Sequence, residues 1–222
     1  MPGSTSPLSA WLRRCLALAA LGAGAALAQA PVDLSLESAH NVNEGELHFL
    51  EQPPAKAVHH HQNWFRIEAE SLATGWVRLV QCHDNLDAVP RAQITFREGF
   101  VRDLKVLSFN AIENAWIEGA TVQLVNVGRG ARLCLAADTR ALRNTGNGYY
   151  NLYSGPYMRK FLDGYYPMRL TLEIEYPTSL LNLLDISPTA QPGFRLDDTP
   201  GHIRMDAIFE GVLQTLTQFE KI

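Results

Sequence analysis

The chain has 222 residues, with 19 Lys and Arg against 23 Asp and Glu, a formal charge of −4 and no basic tract. That balance argues against nucleic acid and anionic membrane surfaces as partners, since both are held by clustered positive charge. Two of the three cysteines lie beyond residue 80, a pattern that matters once the N-terminus has been read.

Residues 1–30 carry the pattern of an export signal. Arg13 and Arg14 precede the apolar run CLALAALGAGAALA, and the small residues AQA end at Ala30; a signal peptidase needs such a site. The run is too short and too rich in Ala and Gly for a transmembrane anchor, and no later segment resembles a membrane span. The expected organisation is a cleaved signal peptide over 1–30, an N-terminal arm or linker over 31–57, and a single β-sandwich domain over 58–222. The mature protein is expected in the periplasm or secreted. Cleavage leaves 17 basic residues against 23 acidic ones, a formal charge of −6, and leaves only Cys82 and Cys134. Two cysteines in an oxidising compartment are expected to join. The bridge would close a loop of about fifty residues, worth about 4 kcal/mol on the chain-entropy model. The competing reading makes Cys82 a metal-binding thiolate.

In the arm, ELHFL has the make-up of one short strand, and EQPPAKA reads as a linker because paired prolines cannot donate to a sheet. Further along, strands are expected at GWVRLVQC, TVQLVNV and ARLCLAA. MRLTLEIEY alternates cleanly: Met168, Leu170, Leu172, Ile174 and Tyr176 share one face, and Arg169, Thr171, Glu173 and Glu175 the other. That is a half-buried antiparallel strand. Hairpins are expected around Glu98-Gly99, in RALRNTGNGYYNLY, and around Glu210-Gly211, because Gly and Asn tolerate the positive φ of tight turns. One short helix is expected at SGPYMRKFLDG, with Ser154 as cap, Pro156 in the first turn and Gly164 at the end. The fold class is therefore all-β, an antiparallel two-sheet sandwich with one short helix. Its architecture is Ig-like, but no Trp follows Cys82 closely and Arg132 stands where a tyrosine corner would fall, so the immunoglobulin signature is absent.

The stretch AKAVHHHQNWFRI holds three consecutive histidines, and LVQCHDNLD follows about fifteen residues later. On a strand, His59 and His61 point one way and His60 the other. His83 completes three imidazoles if its strand pairs alongside, a set that copper or zinc accepts. The alternative is a hydrogen-bonded or solvated set of histidines at a strand entrance. Asp84, Asn85 and Asp87 read as the corner after the strand, and His83 with a neighbouring Asp would serve as base and orienter in a hydrolase. No Gly-x-Ser-x-Gly or His-Glu-x-x-His motif accompanies them, which favours a non-enzymatic role.

Six of the seven tyrosines fall between residues 149 and 166: Tyr149, Tyr150, Tyr153, Tyr157, Tyr165 and Tyr166. Tyrosine combines a rigid surface with a polar tip, which suits binding of a protein, peptide or carbohydrate. The competing expectation is that alternation buries half of these rings in the core. The sequence thus points to an exported binding or assembly-accessory protein, with a copper or zinc protein as the alternative and a hydrolase as the second.

Overall fold

The structure is a computed structural model and describes residues 43–222. The expected signal peptide and the first part of the arm lie outside the described residues. The described chain is nearly all β, with fifteen strands and one helix. Strand β1 (His48–Phe49) is followed by β2 (His60–Arg66), helix α1 (Ala69–Thr74), β3 (Val77–Leu86) and β4 (Val89–Thr95). Two long strands come next, β5 (Val101–Glu118) and β6 (Thr121–Thr139), then β7 (Leu142–Gly146) and β8 (Tyr149–Tyr157). A small hairpin of β9 (Lys160–Phe161) and β10 (Gly164–Tyr165) precedes β11 (Met168–Glu175), β12 (Leu181–Ser187), β13 (Phe194–Thr199), β14 (His202–Glu210) and β15 (Leu213–Lys221).

The large sheet runs in the order β1-β14-β11-β2-β3-β6, and the four-stranded sheet in the order β12-β15-β8-β7. All pairings are antiparallel except β2 with β11, which run side by side in parallel. Alternation explains why the two sheets face each other. Met168, Leu170, Leu172 and Ile174 of β11, Ile203, Met205, Ala207 and Phe209 of β14, and Phe65 and Leu79 are all buried. They meet Leu152, Leu213 and Phe219 of the smaller sheet in one apolar cluster. Each such side chain stabilises the fold by roughly 1.5–3 kcal/mol relative to exposure. The polar face of β11 carries ion pairs, Arg66 with Glu175 at 2.8 Å and Arg169 with Asp206 at 2.8 Å.

A second core lies where β6 folds back. Strands β3 and β4 run end to end along one side of β6, and β5 lies along the other. Strand β4 therefore ends beside Thr121 and β5 begins beside Thr139, although only residues 96–100 connect them. Six Cα steps reach about 20 Å, whereas a straight strand of this length would run about 60 Å. Strand β6 must bend, and the bend encloses Val122, Leu124, Val127, Leu133 and Leu135. Register shifts in β5 near residues 102, 106 and 110, with positive φ at Ala111 and Asn126, supply the curvature.

Cys82 and Cys134 form a disulfide between directly opposed residues of β3 and β6, with Cα atoms 4.1 Å apart. The link lies within one sheet, where an inter-sheet bridge of immunoglobulin type would join two.

Three local expectations are corrected. The helix is α1, closed by a capping box between Glu68 and Ser71 and by Gly75 in the left-handed region; residues 154–164 instead continue β8 and turn through β9 and β10. The in-out alternation of Tyr150, Leu152 and Ser154 against Tyr149 and Tyr153 overrides the capping pattern there. The chain does turn at residues 97–100, with the Phe100 N–H on the Arg97 carbonyl, but β4 and β5 flank β6 and do not pair with each other. The turn at Glu210-Gly211 likewise carries the chain from one sheet into the other.

Gly211 has φ +87°, and a Cβ there would strike the backbone carbonyl of Glu46. Gly99 has a similar φ of +75° but open space around it. Gly211→Ala should therefore lower the melting temperature by roughly 3 °C or more beyond the effect of Gly99→Ala. Equal shifts in thermal unfolding would show that residues 45–46 do not pack against this turn.

Candidate functional site

Strand β2 lies between β11 and β3 in a register that sets His61 opposite both Leu170 and His83. Period two then sends His59, His61, Asn63 and Phe65 toward the smaller sheet and His60 and Gln62 away from it. On β3 the same rule turns Leu79, Gln81 and His83 inward, and all three are buried. The expected trio therefore assembles. His59 Nε2 and His83 Nδ1 stand 3.0 Å apart. The ring centroids are 4.4 Å apart for His61 and His83, 5.2 Å for His59 and His83, and 6.2 Å for His59 and His61. His60 is on the other face, with its Nε2 2.8 Å from Thr171 Oγ1.

A hydrogen-bonded chain ties this cluster to the opposite sheet. Asn63 Oδ1 lies 3.1 Å from His61 Nε2, and Asn63 Nδ2 donates to Tyr157 Oη at 2.6 Å. Tyr157 Oη in turn shares a hydrogen bond with Ser154 Oγ. The Gln81 amide nitrogen also lies within reach of His61 Nε2, and the His61 ring meets Tyr157 edge-on at 5.0 Å. His83 is 2% exposed, and its Nε2 has no hydrogen-bond partner among the described residues.

Burial sets the charge state. It lowers His59 to about 4, with Asp87 acting in the opposite direction and Arg159 reinforcing the shift. It lowers His61 to about 3, with His59 adding to the effect, and it holds His83 well below the usual imidazole value. All three rings are neutral at pH 7, the form that ligates metal. Burial likewise raises Tyr157 to about 12, so its hydroxyl stays protonated.

The hydrolase arrangement does not form. Asp84 lies on the outer face, where it accepts from Gln62 Nε2 at 2.7 Å and lies 3.4 Å from Arg132. Asp87 is bound by Arg159 at 2.6 Å. Strand β3 continues to Leu86, so the expected corner comes slightly later than CHDNLD suggests.

The tyrosines divide. Tyr150 and Tyr157 are core residues, each 5% exposed. Tyr149 and Tyr153 stand exposed on the outer face of β8. Tyr166, also exposed, donates to Asp163 at 2.6 Å. Tyr165 is half-buried, with Lys160 Nζ 5.1 Å from its ring centre. The hairpin bearing the last two is linked to the histidines through Arg159. That guanidinium lies 5.1 Å from the Phe161 ring centre and 5.5 Å from that of Tyr166 while it holds Asp87, one of the charges acting on His59. Asn63, Gln81 and Arg159 were not among the expected site residues. The signal for the first two was their in-phase spacing with His61 and His83; Arg159 carried none, because only the tertiary fold brings it to Asp87.

Among the described residues no three His, Cys, Asp or Glu side chains converge on one point suited to a metal ion, and no helix is long and apolar enough to cross a membrane. No protein-family model matches the chain, and no curated protein matches it in sequence. Among solved structures, the chain is similar to a crystal structure of a mutant two-domain M1 zinc metallopeptidase bound to L-tryptophan, at 11% identity and a TM-score of 0.40. The match covers 81% of this chain and 44% of that one, and likeness at this level carries no argument about either fold or activity.

The buried imidazoles predict how stability responds to acid. An unfolded histidine binds a proton near pH 6.5, while His59 and His61 in the fold resist it down to about 4 and about 3. The unfolded chain therefore binds more protons between pH 6.5 and 4, so stability is lost as pH falls through that window. Each such histidine contributes at most about 1.4 kcal/mol per pH unit. Asp206 is held below its usual value, so its own contribution fades only below about pH 3.8. Urea unfolding at pH 7, 6, 5 and 4.5 should show a falling stability whose slope flattens in His59→Gln/His61→Gln. An identical slope in that variant would mean that the two rings are not buried as described.

Proposed function

We propose that this protein is an exported, non-enzymatic binding protein that holds one copper or zinc ion through His59, His61 and His83. The observation that carries the reading is the facing pair His59 Nε2 and His83 Nδ1, 3.0 Å apart, with a third imidazole beside it. Two imidazole nitrogens on one tetrahedral zinc, each at about 2.0–2.1 Å, stand about 3.3 Å apart. Replacing the N–H···N hydrogen bond by an ion thus needs an opening of only a few tenths of an ångström. Two supporting features accompany it: the rings are already neutral, and Asn63 lies against His61 Nε2 as an outer-shell partner would. The convergence that the described side chains lack is what ion binding supplies, by drawing three neighbouring rings onto one centre.

The pattern of residues 1–30 supports the exported part of this reading, and outside the cytosol the paired Cys82 and Cys134 leave imidazole rather than thiolate as the ligand the chain can offer. The exposed pair Tyr149 and Tyr153 favours a second, compatible role in which the outer face of β8 docks a protein, peptide or carbohydrate.

Titration of untagged protein lacking residues 1–30 with zinc and then copper, followed by calorimetry, tests the reading. One ion per chain is expected, with binding weakened by at least about tenfold in His59→Gln, His61→Ala and His83→Gln. His60→Ala, on the opposite face, should bind normally. Circular dichroism of each variant separates lost binding from lost folding. Sub-stoichiometric metal, or affinity unchanged in a folded His61→Ala, would end the proposal.

A further inference from the structure

A cavity of about 630 Å³ lies between the C-terminal end of α1, the 96–100 turn and β7, and no histidine lines it. Three of its lining side chains are Arg97, Arg140 and Arg143, and none is acidic. Among the described residues these three guanidiniums have no carboxylate within ion-pair distance, whereas Arg66, Arg102, Arg159, Arg169 and Arg204 each have one. In a chain of formal charge −4, three unneutralised arginines around one hollow are a local reversal of sign.

The rim is held in place. The Arg97 guanidinium carbon sits 4.0 Å above the Phe100 ring, and that of Arg143 sits 4.8 Å above Tyr153. Aromatic support of this kind fixes the planar fork while leaving its N–H groups free to donate. The backbone closes the frame: the Arg140 N–H donates to the Phe100 carbonyl at 3.0 Å, and the Leu142 N–H donates to the Gly75 carbonyl at 3.2 Å. Gly75 packs so closely that a Cβ would lie 2.7 Å from the Leu142 carbonyl oxygen. At the end of α1 the Glu70 carbonyl accepts from Thr74 Oγ1 and the Ser71 carbonyl from the Gly75 N–H.

We infer that this cavity binds a tetrahedral oxyanion group, a phosphate or sulfate ester carried on a larger molecule. Three guanidiniums match the several oxygens of such a group by charge-assisted, partly bidentate hydrogen bonds. A carboxylate would engage only one fork. The volume exceeds that of the anion alone, and the apolar lining from Leu72, Phe100 and Leu142 accommodates the remainder of an ester. Tyr153, which supports Arg143, belongs to the exposed outer face of β8, so the carrier of the ester can extend onto that surface.

The test uses the full chain without residues 1–30, in the presence of a chelator so that no metal contributes. A phosphate monoester, phosphoserine, and a sulfate ester, a sulfated disaccharide, are titrated in low-salt buffer and followed by calorimetry. Saturable binding of at least one ester is expected, weakened about tenfold in Arg140→Gln and in Arg97→Gln, and weakened further by added salt. Arg91→Gln and Arg129→Gln, outside the cavity, should leave it unchanged. Whichever ester binds more tightly identifies the source of the anion. No saturable binding of either ester up to about 1 mM, the weak end of specific affinity, would overturn the inference. So would equal binding by folded Arg140→Gln and the parent protein.

Discussion

The register of β3 decides what the interior of this protein contains. Cys82 opposes Cys134 and is covalently tied to it, so β3 cannot slide along β6. His83 is the next residue and therefore points inward, toward β8, while Asp84 points outward. A slip of one residue would bury Asp84 and expose His83, since side chains alternate with period two. The same constraint passes to β2 through the pairing of His61 with His83, and from β2 to β11 through the pairing of His61 with Leu170. One covalent link thus sets the polar content of the whole inner face.

That polar content has a physical rationale. Most of the inner face is apolar, but at the end where β2 begins it holds His59, His61, Asn63, Gln81 and His83 facing Ser154 and Tyr157. Buried polar groups are tolerable only when they bond one another, and here a chain of donors and acceptors crosses from one sheet to the other. The network fixes how the two sheets meet in a way that Leu and Ile cannot, because its hydrogen bonds have direction. Two buried atoms of this face, His83 Nε2 and Gln81 Oε1, have no hydrogen-bond partner among the described residues.

Period two made much of this legible in the amino-acid sequence. MRLTLEIEY announced its apolar and polar faces, although Thr171 on the polar face is buried, and the spacing of His59 and His61 placed them together, because both follow from backbone geometry within one strand. Pairing was less accessible. Gly99 and Gly211 each announce a turn, yet a turn does not say which strand the chain meets next; β4 and β5 turned out to flank β6, and β14 and β15 to lie in different sheets. Ser154, Pro156 and Gly164 imitate helix punctuation, and only the neighbouring β15 shows that the segment is a strand. Arg97, Arg140 and Arg143 had no shared local pattern at all. They are gathered by the fold-back of β6, which brings the residue after β6 against the turn before β5.

The irregularities of β5 have one more effect. This strand is an outer edge of the large sheet and shows Leu107, Phe109, Trp116 and Ile117 to solvent. A long, flat, apolar edge invites other chains to add strands to it and grow into fibres. Register shifts at residues 102, 106 and 110 break the first half of β5 into short pieces, and Glu113 and Glu118 charge the second half. The bends that enclose the second core therefore also act as gatekeepers against runaway self-association.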